Sequence, residues 1–356
     1  MSGSSDLRQA VRKLVARSNL SDPEIEAAFD SILSGSANEA SMAAFLVALS
    51  MKGATAPELR AMIAATRKHA TPITPKVHGR IIDTCGTGGD SIRSFNISTA
   101  SAIVACAAGA IVAKHGNRSV SGICGSADFL EHIGLPMDAP AEKVRAGIED
   151  VGFGFLFAPM FHPLMKNVSG VRKAIGVRTV FNIIGPLCNP CTNLSGQVIG
   201  VFEPALMDLL AEAYQGCVQD AMIVHAVDGF DELSNTCEND VLRIKGEDNP
   251  QRLRIHPKVL GIPPAKPEQL VVNSKDESIR STLQVIYGQA PPEKEDIVIM
   301  NTSAALVVAK VASDLKEGVS IARTAIRSGK AKEKLSQIIG YFGEIEKLRE
   351  AEKKFL

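Results

Sequence analysis

The sequence predicts an α/β protein in two parts: a small N-terminal helical domain, and a larger α/β domain with a mostly parallel central sheet flanked by helices. Three observations predict it. The first 70 residues carry apolar residues at helical spacing, Thr71-Pro72-Ile73-Thr74-Pro75 then breaks the pattern, and from Ile81 short β-branched runs alternate with helical stretches. The 356 residues are enough for two domains, and 45% hydrophobic with 22% charged residues is ordinary for a chain that buries a full core. The boundaries expected are 1–72 for the helical domain, joined by helices from about 159–190, and 76–356 for the α/β domain.

In the helical part, Ser21 with Glu24 forms a capping box and Pro23 sits in the first turn. Ile25, Ala28, Phe29 and Ile32 follow on one face, and Gly35 ends the helix. Met42, Phe45, Leu46 and Leu49 form the next stripe, ended by Gly53; Thr55 and Glu58 then cap a third helix carrying Leu59, Met62 and Ile63. Such short helices each need a partner face, and a spare one suits a subunit interface. In the second part, strands are expected at Ile81-Ile82, Ala110-Ile111-Val112, Gln197 to Phe202 and Met222 to Val224. Helices are expected near 97–108, 140–151, 204–216 and 301–312, with a charged helical tail over about 316–352.

Lys+Arg and Asp+Glu are both 39, a balance unlike the basic excess of dedicated nucleic-acid binders. The N-terminus has no apolar core, and the longest apolar run, Ala102 to Ala113, is too short to span a bilayer. Seven scattered cysteines read as reduced thiols of a cytoplasmic enzyme, and Cys188-Asn189-Pro190-Cys191, with no second pair, as two incidental thiols.

Three loops carry chemistry. Asp83-Thr84-Cys85-Gly86-Thr87-Gly88-Gly89-Asp90 follows the first strand, and its glycines let backbone N–H groups approach an oxyanion. Asn96-Ile97-Ser98-Thr99 then opens a helix whose free amides favour phosphate. This is neither a Walker A nor a dinucleotide loop. Lys114-His115-Gly116-Asn117-Arg118-Ser119-Val120-Ser121 ends the next strand: Lys114 and Arg118 can counter diphosphate charge, and Ser119 and Ser121 add hydroxyl donors. Ser126 begins a further helix. Asp228-Gly229-Phe230-Asp231-Glu232 follows the strand at 222–224, and its adjacent carboxylates form a hard-oxygen site suited to magnesium. In an α/β sheet all three loops fall at the carboxyl ends of strands, where ligands bind.

Together these segments resemble the anthranilate phosphoribosyltransferase family over nearly the whole chain. The resemblance rests on Gly86 to Asp90, Asn96 to Thr99, Lys114 to Arg118, Gly125-Ser126-Ala127-Asp128 and Phe161-His162-Pro163. It continues through Arg178-Thr179-Val180-Phe181-Asn182, Gly185-Pro186-Leu187 and the Asp231-Glu232 pair. It implies transfer of a phosphoribosyl group from phosphoribosyl diphosphate to the amine of anthranilate, with two magnesium ions, by a cytoplasmic homodimer formed through the helical domain. By that resemblance Gly86, Gly89, Asp90, Ser94, Asn96, Ser98, Thr99, Lys114 and Ser126 contact the phosphoribosyl diphosphate, together with Gly116, Arg118, Ser119 and Ser121. Ser98 holds one magnesium, and Asp231 with Glu232 the other. Asn117 and Arg172 contact anthranilate, with His115, His162 and Pro186 nearby. His115 is the candidate to receive the amine proton, and Arg172 offers a planar fork for the carboxylate.

The chain departs from the family pattern at Cys85, Ser91, Ser94, Gly122, Cys124 and Ala226. Cys85 and Cys124, beside phosphate loops, suggest sensitivity to oxidation. Two other readings compete: a pyrimidine nucleoside phosphorylase on the same scaffold, and a non-catalytic relative that binds nucleic acid, which would show a basic stripe and eroded metal ligands.

Overall fold

The structure, a computed structural model, describes residues 3–88, 93–119 and 123–356. Four helices come first: α1 (Gly3–Val15), α2 (Asp22–Leu33), α3 (Glu39–Lys52) and α4 (Ala56–Lys68). The expected caps form. The Ser21 and Thr55 N–H groups donate to the Glu24 and Glu58 carboxylates at 2.9 and 2.8 Å, and Gly53 ends α3 at φ +81°. Glu58 is fully buried and also accepts from the Leu20 N–H (2.9 Å) and Lys52 Nζ (2.7 Å), so one carboxylate ties three segments of the bundle together.

The second part begins with β1 (Ile81–Gly86), α5 (Ile97–Ala107), β2 (Ile111–Gly116), α6 (Ser126–His132), α7 (Ala141–Val151) and β3 (Phe153–Phe157). The chain then returns to the bundle through α8 (Ala158–Phe161), α9 (Lys166–Ile175), α10 (Val180–Ile184) and the 3-10 turn Gly185–Cys188. Helix α9 packs on α2 and α3, and α10 on α3 and α4. After this excursion come β4 (Leu194–Gly200), α11 (Ala205–Tyr214), β5 (Asp220–Ala226), β6 (Asn239–Lys245) and β7 (Gln251–Ile255). Five helices complete the chain: α12 (Lys275–Ile286), α13 (Pro292–Val308), α14 (Leu315–Arg327), α15 (Lys330–Phe342) and α16 (Ile345–Phe355).

The seven strands lie in the order β3-β2-β1-β4-β5-β6-β7, the first five parallel and β6 and β7 antiparallel. The chain is thus an N-terminal helical domain beside a larger α/β domain whose mostly parallel sheet is flanked by helices. Two successions of strands run outward from the β1–β4 pair in opposite directions, which opens a crevice at their carboxyl ends. Beneath it, α5 is buried along nearly its whole length and packs against α13, α14 and α15.

Three strands and one helix escape the sequence reading. β3 is a five-residue Phe-Gly-Phe-Leu-Phe run with no two-residue alternation. β6 and β7 carry Arg243, Lys245, Arg252 and Arg254, as suits strands at a sheet edge. Helix α12 buries Ser278, Ser281 and Thr282 beside Ile279, Leu283 and Ile286, so its apolar stripe is weak. The helix expected at 301–312 runs from 292 to 308, because Pro291-Pro292 presets its start.

Candidate active site

The carboxyl ends of β1, β4 and β5 meet the amino end of α5. After β1 the Thr87 N–H donates to the Gly200 carbonyl (2.9 Å), and the Gly88 N–H to Asp231 Oδ2 (2.8 Å). The Ser98 N–H, in the first turn of α5, donates to Glu232 Oε1 (3.0 Å). Glycine turn, helix terminus and acidic pair therefore face a single crevice. Two glycines permit this approach: a Cβ on Gly86 would overlap the Asp231 carboxylate, and one on Gly200 the Asp231 carbonyl oxygen. Burial pushes the Asp231 carboxyl above its ordinary value, against the pull of the Gly88 N–H. A cavity of about 10 Å³ lies under the pair, lined by Thr84, Ser98 and Asn301 among others.

Lys114 on β2 reaches into the crevice from below. Its buried Nζ donates to the Thr84 carbonyl at 2.5 Å and approaches Ser98 Oγ at 3.4 Å. Burial lowers its pKa, opposed by the neighbouring Asp83, Cys85 and Glu232. Asp83 is fully buried and organises a network for which the sequence reading assigned no role. Its oxygens accept from the His115 N–H (3.2 Å), Asn189 Nδ2 (2.9 Å) and Gln197 Nε2 (3.0 Å). Gln197 also donates to the Pro186 carbonyl (2.8 Å) and accepts from the Tyr214 hydroxyl (2.6 Å). The available signal was polarity out of place: Asp83 heads the glycine loop from within an apolar strand, and Gln197 interrupts another.

The loop after β2 is held differently from expectation. Arg118 donates to both oxygens of Glu131 (2.6 and 2.7 Å) and to Asp128 (3.2 Å), so its charge is already neutralised by α6 and Lys114 is the cation inside the crevice. Asp128 accepts from the Ser119 and Gly125 N–H groups (3.1 and 2.9 Å), and Ser126 Oγ donates to the Asn117 carbonyl (3.2 Å). Gly116 closes β2 before this loop, and the Asn117 side chain is exposed. With its amide oriented so that nitrogen faces the Cys124 and Gly125 carbonyls (3.1 and 3.2 Å), Asn96 accepts from the Ser278 hydroxyl at 3.2 Å. Ser94 forms an antiparallel bridge with Val271, and the buried Thr99 hydroxyl has no hydrogen-bond partner among the described residues. Gly89, Asp90 and Ser121, and the departures Ser91 and Gly122, lie outside the described residues.

On the side facing the helical domain, His115 and His162 are buried with ring centroids 5.1 Å apart. Each ring hydrogen-bonds a backbone group of the 3-10 turn, His115 at Gly185 and His162 at Cys188, and each Nε2 has no partner among the described residues. Nδ1 therefore carries the proton and Nε2 presents a lone pair. Burial, reinforced by His162, Arg67 and Lys114, holds His115 well below 6.5, and burial pushes His162 down to about 4. His115 is thus a neutral, weak base, poorer at retaining a proton than the sequence reading supposed.

A stability consequence follows from the same shift. Between about 4 and 6.5 the unfolded chain protonates His162 while the folded chain does not, so stability is complete above 6.5 and falls as pH drops toward 4. The full loss is up to about 3 kcal/mol, with His115 acting in the same direction. Denaturant midpoints across this range should rise with pH, and His162→Gln should flatten the slope; an equally steep slope in the variant would contradict the assignment.

Arg172 on α9 is half-buried over the Phe181 ring, 5.5 Å from its centroid, with Nη2 3.5 Å from Asn182 Oδ1. It makes no ion pair among the described residues, and burial lowers its pKa. A guanidinium so placed fits a ligand carboxylate. The thiols correct one expectation: burial pushes Cys85 well above its usual range and raises Cys124, so neither is an activated thiolate. Cys188 and Cys191 are pushed up to about 12.

A helical bundle beside an α/β domain, with a glycine turn and an acidic pair sharing one strand-end crevice, defines a glycosyl transferase. The family description "Glycosyl transferase family, helical bundle domain" matches residues 8–70, and "Glycosyl transferase family, a/b domain" matches 78–332. An anthranilate phosphoribosyltransferase of Acetivibrio thermocellus is 43% identical over 336 residues, 94% of this chain and 96% of the relative. One from Methanosarcina acetivorans is 42% identical over 95% of this chain and 90% of its own length. The chain belongs to the anthranilate phosphoribosyltransferase family. Among solved structures, the Thermus thermophilus enzyme aligns with a TM-score of 0.87 at 36% identity, covering 94% of this chain and 99% of that one. The Saccharomyces cerevisiae enzyme in complex with PRPP and Mg aligns at 0.86 and 26% identity, covering 95% and 98%.

Proposed function

We infer that this chain transfers the phosphoribosyl group of 5-phosphoribosyl 1-diphosphate to the amine of anthranilate, releasing pyrophosphate, in tryptophan biosynthesis. The observation that carries the reading is the shared crevice: Gly88 and Ser98 amides, Lys114 and the Asp231-Glu232 pair all face one another. The phosphorylase alternative is not favoured by relatives that bear the transferase name. The non-catalytic alternative predicts erosion of the acidic pair, which is intact.

The donor set fits magnesium. Two carboxylates and the Ser98 hydroxyl are hard oxygen ligands, and we assign one ion to Ser98 and a second to Asp231 with Glu232. Magnesium there supplies positive charge against the pyrophosphate that leaves. The chain's own groups do the rest. The C1–O bond to pyrophosphate breaks as the C1–N bond to the amine forms, and the amine then sheds a proton. Lys114 and the positive end of the α5 dipole stabilise the anion that departs. The aromatic amine is uncharged at neutral pH, so its attack needs no strong base; the neutral Nε2 of His115 is able to take up the released proton transiently. Arg172 and Asn117 orient anthranilate, an effect worth several kcal/mol when the reacting atoms are aligned. The buried rings of His115 and His162 help keep water from the activated sugar.

Mixing purified protein with phosphoribosyl diphosphate, magnesium and anthranilate should extinguish anthranilate fluorescence; persistence of the signal at high enzyme would overturn the reading. Arg172→Ala should raise the anthranilate KM roughly 10- to 100-fold, the equivalent of a charge-assisted hydrogen bond of about 1.5–3 kcal/mol, with the phosphoribosyl diphosphate KM changed little. Equal shifts in both constants would contradict its place.

The chain is further proposed to act in the cytoplasm as a homodimer joined through the helical domain, where Val15 and Met51 stand exposed. Its mass in solution tests the dimer. No helix among the described residues is long and apolar enough to cross a membrane.

A further inference from the structure

Asn301 sits in the middle of α13, and only 6% of it is exposed. A buried amide is costly there unless its bonds are made. Its bonds are made with one residue in particular. Asn301 Oδ1 accepts from the Leu233 N–H at 2.9 Å, and Nδ2 donates to the Leu233 carbonyl at 2.7 Å, with a second bond to the Ile297 carbonyl of its own helix at 2.9 Å. One side chain thus closes both backbone groups of the residue directly after Glu232, and it lines the small cavity under the acidic pair.

The same helix also holds α5. The Ser101 hydroxyl donates to the Val298 carbonyl (3.3 Å), and the Thr302 hydroxyl to the Ser101 carbonyl (3.5 Å). Positions 298 and 302 grip the helix whose first turn carries Ser98, while position 301 grips the turn that carries Asp231 and Glu232. Within that turn, Asn239 brackets the N–H and carbonyl of Ser234 at 2.7 and 2.9 Å, and Asp228 accepts from the Ser234 and Thr236 hydroxyls. Those bonds join the turn to itself and to the start of β6, the next strand in the chain. Asn301 ties it to another element.

We propose that Asn301 is a positioning residue that sets the separation between the two halves of the metal site, Ser98 on α5 and the Asp231-Glu232 turn after β5. The inference rests on the magnesium assignment above and extends it to a residue that touches neither metal nor substrate. Outer-shell partners of this kind typically change metal affinity about 10- to 100-fold when removed.

The test is manganese binding to the full chain in the presence of pyrophosphate, followed by electron paramagnetic resonance. Asn301→Leu keeps the branched outline of the side chain and loses both bonds to Leu233; it should weaken manganese binding roughly tenfold or more. Its anthranilate KM should stay within about twofold and its rate should recover in excess magnesium. Ser303→Ala removes a buried hydroxyl of the same helix whose bond is to the Met300 carbonyl of that helix (2.7 Å), touching neither Leu233 nor α5, so it should lower the melting temperature and leave manganese affinity within about twofold. A folded Asn301→Leu protein with parental manganese affinity overturns the proposal, as does an equal loss in the Ser303→Ala control. Should Asn301→Leu not fold, Asn301→Ser, too short to reach Leu233, is read in the same way. A parent chain that binds manganese with pyrophosphate yet consumes no anthranilate overturns the acceptor reading alone, because the Asn301 comparison is made on binding. A parent chain that binds no manganese overturns both.

Discussion

Replacing Asp231 by asparagine together with Glu232 by glutamine should lower turnover at low magnesium by roughly a thousandfold and leave the protein folded. The reason lies in what each carboxylate does in the crevice. Toward the protein they act as hydrogen-bond acceptors, for the Gly88 N–H at 2.8 Å and the Ser98 N–H at 3.0 Å. Amide oxygens of the same shape can accept those bonds. Toward a ligand they act as negative oxygens for a hard cation, and that an amide does far less well. Burial already pushes the Asp231 carboxyl above its ordinary value, so ionisation there is unfavourable to the fold. Neutralising it should therefore leave the melting temperature unchanged or slightly raised while the rate collapses, with partial recovery at high magnesium. Rates measured across a magnesium titration, beside thermal unfolding, check both halves. Parental rates in the double variant would remove the metal assignment, and a collapse of stability would make the pair structural.

Gly200→Ala should be nearly as damaging by a different route. A Cβ on Gly200 overlaps the carbonyl oxygen of Asp231 and presses on the Glu232 nitrogen, both backbone atoms that cannot swing aside as a side chain would. The acidic turn must then move away from the end of β4 by an ångström or more. A displacement of that size costs on the order of a hundredfold in rate, and overpacking at such a site costs about 1–3 kcal/mol of stability. Unlike the charge variant, this one should not be rescued by magnesium, because the ligands are displaced rather than weakened. The contrast between the two magnesium titrations is the measurement. A Gly200→Ala enzyme with parental kcat and stability would show that the turn gives way freely, against the clamps formed on it by Asn301 and Asn239.

Much of this site was legible from local sequence. Caps at Ser21 and Thr55, the glycine turn, the start of α5 and the Asp231-Glu232 pair are all short-range features, written within a few residues of one another. What the sequence reading missed was of longer range. Asp83, Gln197, Asn189 and Tyr214 are far apart in the chain, and each is an ordinary polar residue by itself; only the parallel pairing of β1 with β4 sets Asp83 beside Gln197. Arg118 looked like a phosphate ligand because its loop is basic, and it proved to be engaged by Glu131, one helical segment later. His115 looked like an ordinary base because histidine titrates near neutrality; its burial, reinforced by His162, makes it a weaker one.

From sequence alone came the two-part α/β architecture, the three loops and the kinds of atom they present, because hydrophobic period, turn residues and charge are properties of neighbouring positions. The tertiary structure decided which of those atoms meet, which cations are already paired, and which groups burial keeps neutral. Those depend on desolvation and on contacts between residues more than a hundred positions apart, as Gly88 and Asp231 are, and no local pattern records them.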